Sequence, residues 1–489
     1  MMGHFTVTGL ESPMNRRRVP IAAVLAAAAA CAALVTGPLA ESVRGTPAFR
    51  AQTVMPSGPD VTAIEHVTVV PMDRERVLPD HTVIVRGSRI VSVVPTASLV
   101  PAAGVTRIDG RGRFLIPGLA EMHAHIPPGN ATDAAIERVL LLYVANGVTT
   151  ARGMLGAPRH LAYRERAARG EVVAPTIYTS GPSLNGTSVP TPEAAVEAVR
   201  AQKAAGYDFL KIHPGIRREV FDALAAAADR AGIRFAGHVP LDVGLARALE
   251  ARYATIDHVD GFVEALVPAD APVKAADSRW FGLNLAEHAD LARIPALVAA
   301  ARQAGVAVVP TQTLFDHGQG EVPPDAMAKW PEMRFVPPAQ LAQWVEGKTK
   351  ALAAGQAGAA PGARRFLELR RRLIKALHDG GVPLVLGADA PQVWNVPGFA
   401  THKELEAMVS AGLTPWQALA MGTRNVAVFF GTLDRTGTVE PGKRADLLLL
   451  EGDPLADTRN TARLAGVMLG GRWLPRAEID ARLSALGAS

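Results

Sequence analysis

After Pro117-Gly118 the chain takes on one repeating texture: a short apolar run that closes on a polar residue, a turn, then an alanine-rich stretch with apolar residues three or four apart. The runs close near His125, Arg152, Ser180, Lys211, His238, His258, Thr311 and Asp389. Short continuous apolar runs read as strands buried on both faces, and the stretches between them read as helices. The clearest helices are expected over residues 191–205, with Thr191 as N-cap and Pro192 behind it, and over 217–231. Eight such alternations constrain the fold more than any other feature. Parallel strands need crossover helices, and eight of them close most simply into a (β/α)8 TIM barrel, an α/β fold, here over residues 117–430. One connection breaks the rhythm: the helical, charge-rich segment 314–378 is long enough to form a lid or wall of an active site.

The flanks have a different texture. Short β-like runs at 66–72, 82–86, 89–94 and 107–109 are broken by turns, and β texture returns at 445–450 and 466–471. Residues 61–116 and 431–475 are therefore expected to pair in one sheet, forming a small β-sandwich beside the barrel, with 476–489 left as a C-terminal tail. Residues 41–60 hold Pro47, Pro56 and Pro59 and read as a flexible lead-in.

Residues 1–40 read as an export signal. Met14-Asn15-Arg16-Arg17-Arg18 is a basic head, 21–35 is an apolar run dominated by alanine, and Gly37-Pro38-Leu39-Ala40 ends in small residues. The run is short for a bilayer span. The expected location is periplasmic or extracellular, with no stable membrane association after cleavage. The single cysteine, Cys31, lies inside this run, so a processed chain would hold none, which excludes disulfides, cysteine nucleophiles and cysteine metal ligands. The formal net charge of +5 over 489 residues is too weak for a nucleic-acid partner, and no basic run interleaves with aromatics. Nothing in the composition forbids a homo-oligomer.

The chemistry sits at the ends of the apolar runs. His123 and His125 are two apart, so on a strand they share a face; placed after the run 114–119, at the C-terminal end of a barrel strand, they can bind one metal ion. Lys211, His238, His258 and Asp389 each close another run, and in a barrel those exits converge on one rim. Four histidines, a lysine and an aspartate can hold two divalent cations.

Together the stretches Phe114-Leu-Ile-Pro-Gly-Leu through His125, Thr179-Ser-Gly-Pro, Asp208-Phe-Leu-Lys-Ile, Ile256-Asp-His258, Leu386-Gly-Ala-Asp389-Ala-Pro and Gly437-Thr-Val-Glu-Pro-Gly-Lys-Arg-Ala-Asp446 resemble the amidohydrolase superfamily, in its imidazolonepropionase-like and prolidase-like branch. The resemblance implies a metal-dependent hydrolase of amide or peptide bonds, with a dipeptide or N-acyl amino acid as substrate. It implies His123 and His125 on a first metal, His238 and His258 on a second, Lys211 N-carboxylated between them, and Asp389 as both ligand and proton shuttle. A free ammonium would repel a dication, whereas the carbamate formed from carbon dioxide offers two oxygens that can bridge the pair, and a hydroxide held there is a strong nucleophile. Zinc is the expected ion, with manganese, cobalt or iron as substitutes. The alternatives are a lactonase, esterase or cyclic-amide hydrolase on the same site, or a barrel that binds metal without turnover.

Glu121, Gly153 and Ala388 stand where the family commonly has other residues, which bears on substrate contacts and not on the ligands. His213 and His402 are candidates for substrate contact or for packing. Arg152 is a candidate either for binding a substrate carboxylate through its planar fork or for a structural ion pair.

Overall fold

The computed structural model describes residues 53–487. The two flanks enter one eight-stranded sheet. Its order runs from Arg472–Pro475 through Leu464–Leu469, Leu447–Leu450, Phe114–Pro117, Val61–Val69 and Leu78–Arg86 to Arg89–Pro95, with Thr106–Asp109 also pairing with Val61–Val69. The N- and C-terminal contributions join where Leu447–Leu450 lies antiparallel to Phe114–Pro117, with Leu448 opposite Ile116. All four residues of Leu447–Leu450 are buried because the sheet is covered on both faces. Leu447 and Leu449 pack with Val67, Val83 and Met468, while Leu448 and Leu450 join the main core with Ile116 and Val467. The expected sandwich is thus, among the described residues, one broad sheet accompanied by a two-stranded parallel pair, Thr53–Val54 with Leu99–Val100. That pair corrects the expected lead-in: from Thr53 onward it is structured, and Met55 is buried. The proposed signal, and the lead-in up to residue 52, lie outside the described residues.

The middle of the chain builds parallel strands separated by helices. Leu119–Ala124, Val148–Gly153 and Thr176–Thr179 form one parallel sheet; Phe209–Ile212, Arg234–Gly237, Thr255–Asp257 and Ala307–Val309 form another. Single parallel bridges join Ser180 to Phe209, Val308 to Leu384 and Ala124 to Ala390. The eighth apolar run, 384–390, is therefore held by bridges and forms no regular strand. The expected strand 114–119 is divided: Phe114–Pro117 belongs to the flank sheet, and Leu119–Ala124 begins anew after Gly118. Glycine is required at that crossing because a Cβ would lie 2.1 Å from Thr149 Oγ1.

The helices obey the local signals. Pro192–Ala205 starts on Thr191, whose hydroxyl accepts from Ala194 N, and stops at Gly206 with φ 86°. Arg218–Ala231 stops in the same way at Gly232. The expected C-terminal tail is instead a helix, Arg476–Gly487, docked into the main core through Ile479 and Leu483. Among the described residues no helix is long and apolar enough to cross a membrane.

Candidate active site

His123 is buried within Leu119–Ala124, and His125 follows one residue beyond it with the same side-chain parity. Lys211 lies inside Phe209–Ile212, whose four residues are all buried. His238 and His258 each stand immediately after a strand, Arg234–Gly237 and Thr255–Asp257. Asp389 lies beside the bridge that couples residue 390 to Leu119–Ala124. The chain turns sharply at these exits: His258, Thr311 and Asp389 have φ of 66°, 47° and 60°. Side chains with a Cβ hold the left-handed region only where their surroundings enforce it, and each such residue costs on the order of 1–3 kcal/mol.

The six residues come together. His123 and His258 rings are 4.6 Å apart, His238 and His258 rings 4.6 Å, and His123 and His125 rings 5.4 Å. Lys211 Nζ lies 3.2 Å from His123 Nε2. Asp389 is 3.2 Å from His125 Nε2, 3.9 Å from His123 Nε2 and 3.8 Å from His258 Nδ1. His123, His258 and Asp389 offer ligand atoms within 4.8 Å of one another.

Burial sets the protonation of the cluster. It drives His123, His238 and His258 well below the ordinary imidazole value and His125 to about 3, so all four are neutral and keep a lone pair for a metal. Burial also raises Asp389 to about 7 and lowers Lys211 to about 8. His125 Nε2 and Asp389 Oδ1 are buried with no hydrogen-bond partner despite being 3.2 Å apart. Buried polar atoms are seldom left unpaired, and two lone-pair donors facing each other across that gap fit a cation between them. The donor set, imidazole with carboxylate, suits zinc and its neighbours.

A second ring of residues orients the first. Asp260 accepts from His238 Nδ1 at 3.1 Å and from Val239 N at 3.0 Å. Thr311 Oγ1 is 2.9 Å from His258 Nδ1. Each contact engages Nδ1 and leaves Nε2 available as a ligand. Asp257 Oδ2 lies 2.8 Å from His123 Nδ1, and the Arg152 guanidinium clamps the same carboxylate at 3.3 Å to both oxygens. Arg152 is fully buried and also donates to Met122 O and Thr255 Oγ1, which settles its role as the structural ion pair.

Glu121 accepts from His123 N at 3.0 Å, from Ala388 N at 2.8 Å and from Thr401 Oγ1 at 2.9 Å. It ties two ligand-bearing segments together and stays out of the cavity, so this departure bears on the scaffold and not on substrate. His402 also points elsewhere: it sits in the helix Phe399–Ser410 and meets Thr461 Oγ1 at 2.8 Å. His213 remains with the site, its ring 4.9 Å from His238 and its Nδ1 2.6 Å from Ser183 Oγ.

The histidines and Asp389 line a cavity of about 500 Å³. Its aromatic wall starts at Phe281, whose ring lies 5.4 Å from that of His258, and includes Phe315, Trp344 and Trp394. Much of that wall comes from the long segment, through the helices Gln312–Gln319 and Pro338–Ala353. The family model of the amidohydrolase family matches residues 114–474.

The chain belongs to the amidohydrolase family.

It is a hydrolase of the class acting on carbon–nitrogen bonds. Amidohydrolase relatives named imidazolonepropionase include one from Chromobacterium violaceum, 26% identical over 398 residues, covering 76% of this chain and 85% of its own. Another, from Caulobacter sp., is 27% identical over 391 residues, covering 76% of this chain and 88% of its own. Among solved structures, bottromycin amidohydrolase matches with a TM-score of 0.65 at 22% identity, over 88% of this chain and 90% of its own. A Xaa-Pro dipeptidase with bound methionine matches at 0.61 and 19%, over 85% of this chain and all 100% of its own. The amidohydrolase fold here is α/β and of the TIM-barrel type.

Proposed function

We propose that this amidohydrolase cleaves a peptide-like amide, in a dipeptide or an N-acyl amino acid, with two divalent cations, zinc foremost, held by His123, His125, Lys211, His238, His258 and Asp389. The three single bridges support a barrel closed through residues 384–390. The observation that carries the reading is the buried, mutually unpaired His125 Nε2 and Asp389 Oδ1 at the mouths of two segments tied together by Glu121. When bound, the cations polarise the scissile carbonyl and lower the pKa of water.

The side chains do the rest. Asp389 sits where it can take a proton from the attacking water and deliver it to the leaving nitrogen, so that the amine departs neutral. Asp260 and Thr311 fix the orientation of His238 and His258. Lys211, set against His123, becomes an anionic ligand when its amine adds to carbon dioxide, forming a nitrogen–carbon bond and releasing one proton. The aromatic wall excludes water from the reacting bond.

The test is metal stoichiometry measured with turnover on a panel of dipeptides and N-acyl amino acids. Lys211→Ala is expected to lower metal content and abolish turnover, and a small carboxylic acid to restore part of it. Asp389→Asn is expected to cost far more turnover than metal. A Lys211→Ala protein with two metals per chain and full activity would overturn the reading. The imidazolonepropionase relatives favour a second reading, hydrolysis of a cyclic amide, which the same panel extended to lactams distinguishes. Export is part of the proposal: the native protein is expected to begin near Glu41, and recovery of the full-length chain from cytosol would refute it.

A further inference from the structure

The helix Pro338–Ala353 buries only two side chains, Trp344 and Lys348. They are one turn apart, on one face, and both line the cavity that holds the histidines and Asp389. A helix with a purely structural task places an apolar residue at the second position. Here it places a lysine that is 4% exposed, and among the described residues Lys348 forms no ion pair. Its Nζ donates to His317 O at 2.6 Å and touches Met327 Sδ at 3.2 Å. A thioether is a weak acceptor, and an ammonium carries three donors, so donor capacity remains unspent beside the cavity. A buried cation without a counter-charge is costly. Burial, with no opposing acid, lowers its pKa to about 8, so at neutral pH most of it still carries charge.

The lysine is also held in place relative to the reacting end. His317, whose carbonyl it grips, passes Nδ1 to Asn395 Oδ1 at 2.8 Å, and the Asn395 amide donates to Ala388 O, next to Asp389. Trp344 and Trp394 stand 5.8 Å apart beside it. The cavity therefore has a reacting end at Asp389, an aromatic wall and one uncompensated cation.

Building on the proposed amide hydrolysis, we infer that Lys348 binds a free carboxylate of the substrate, selecting amides that carry an acid group and an apolar or aromatic side chain. The missing counter-charge is supplied by the substrate, whose apolar group lies against Trp344 and Trp394.

Binding of 3-phenylpropanoate and of the neutral 3-phenylpropanamide to the zinc-loaded full chain, read by calorimetry, tests this without relying on turnover. The wild type is expected to prefer the carboxylate roughly tenfold or more, the range of a hydrogen bond to a charged group. Lys348→Met is expected to erase that preference and Lys348→Arg to keep most of it. In turnover, Lys348→Met is expected to raise KM for N-acetylphenylalanine with little change in kcat, and to leave N-acetylphenylalaninamide unaffected. If Lys348→Met fails to fold, Lys348→Gln keeps a donor for His317 O and carries the comparison. A wild type without preference overturns the assignment. So does a variant that keeps the preference, because the metals or another cation then hold the acid, and so does equal weakening of both probes, because Lys348 then only ties two helices. A wild type that binds with the expected preference yet hydrolyses no member of the dipeptide and N-acyl amino acid panel sinks the amide-hydrolysis reading and leaves the carboxylate site standing.

Discussion

Replacing Arg152 by methionine removes the positive half of a buried pair while keeping much of the aliphatic stem. The wild-type guanidinium makes contacts of 2.7 Å to Met122 O, 3.0 Å to Thr255 Oγ1 and 3.3 Å to each oxygen of Asp257. In the variant Asp257 keeps only the Thr255 hydroxyl at 2.6 Å and the His123 contact at 2.8 Å, in a fully buried position. Removing one partner of a buried pair costs about 3–5 kcal/mol, more than the surviving contacts return. The expected outcome is a fall in thermal midpoint on the order of 5 °C or more, together with lower metal content, because His123 loses the carboxylate's fixed position. Calorimetric melting and metal analysis of the same preparation check both. Adding Asp257→Leu removes the stranded charge and is expected to recover part of the stability but none of the metal. A variant that melts like the wild type and loses affinity only for acidic substrates would falsify the structural assignment and place Arg152 in the substrate site.

Gly237→Ala is expected to cost roughly 2–4 kcal/mol and to lower metal content, since φ is 123° and the added Cβ would meet Ile212 O at 2.5 Å and Lys211 Cδ at 2.9 Å; normal melting and two metals per chain would contradict it. Deleting residues 476–489 takes Ile479 and Leu483 out of the main core, at about 1.5–3 kcal/mol for each fully buried side chain, and is expected to lower the midpoint without changing metal stoichiometry in the surviving folded protein. Lys348 has its folded pKa lowered from 10.5 to about 8 by burial, so between those values the unfolded chain binds more protons and wild-type stability rises with pH. Measured against Lys348→Met, the wild type is therefore expected to gain in midpoint from pH 8 towards pH 10.5, and a constant difference across that window would refute the shift.

The strands at the site were legible because both their faces are buried. Phe209–Ile212 shows itself as a short apolar run around one lysine, and the structure brings that lysine to the histidines named with it. The apolar run 114–124 hid a boundary for the same reason: burial on both sides makes the flank strand and the site strand read as one, and only the contact of Gly118 with Thr149 separates them. Asp257 and Asp260 each stand one or two residues from His258, a proximity that was visible, yet their partners His123 and His238 lie far away in the chain, and only tertiary packing reveals the pairings. Lys348 was lost among the other charges of its segment, because a helix's inward face is set by what packs on it. The helix at the C-terminus was missed although Ile479, Leu483 and Leu486 stand at helical spacing, because one short stripe between charged residues does not show what it packs on.

The seam between Leu447–Leu450 and Phe114–Pro117 imposes an order of events on biosynthesis. Phe114–Pro117 runs, with only Gly118 between, into the strand that carries His123, yet its neighbour Leu447–Leu450 is synthesised long after it. Until then the nascent chain exposes an apolar strand edge, a hazard for aggregation. Such long-range pairing makes folding slow, since loop closure must precede its reward. The strand that leads into the first histidines gains this neighbour only once residues 447–450 have been made, so a chain terminated before residue 447 leaves that edge open.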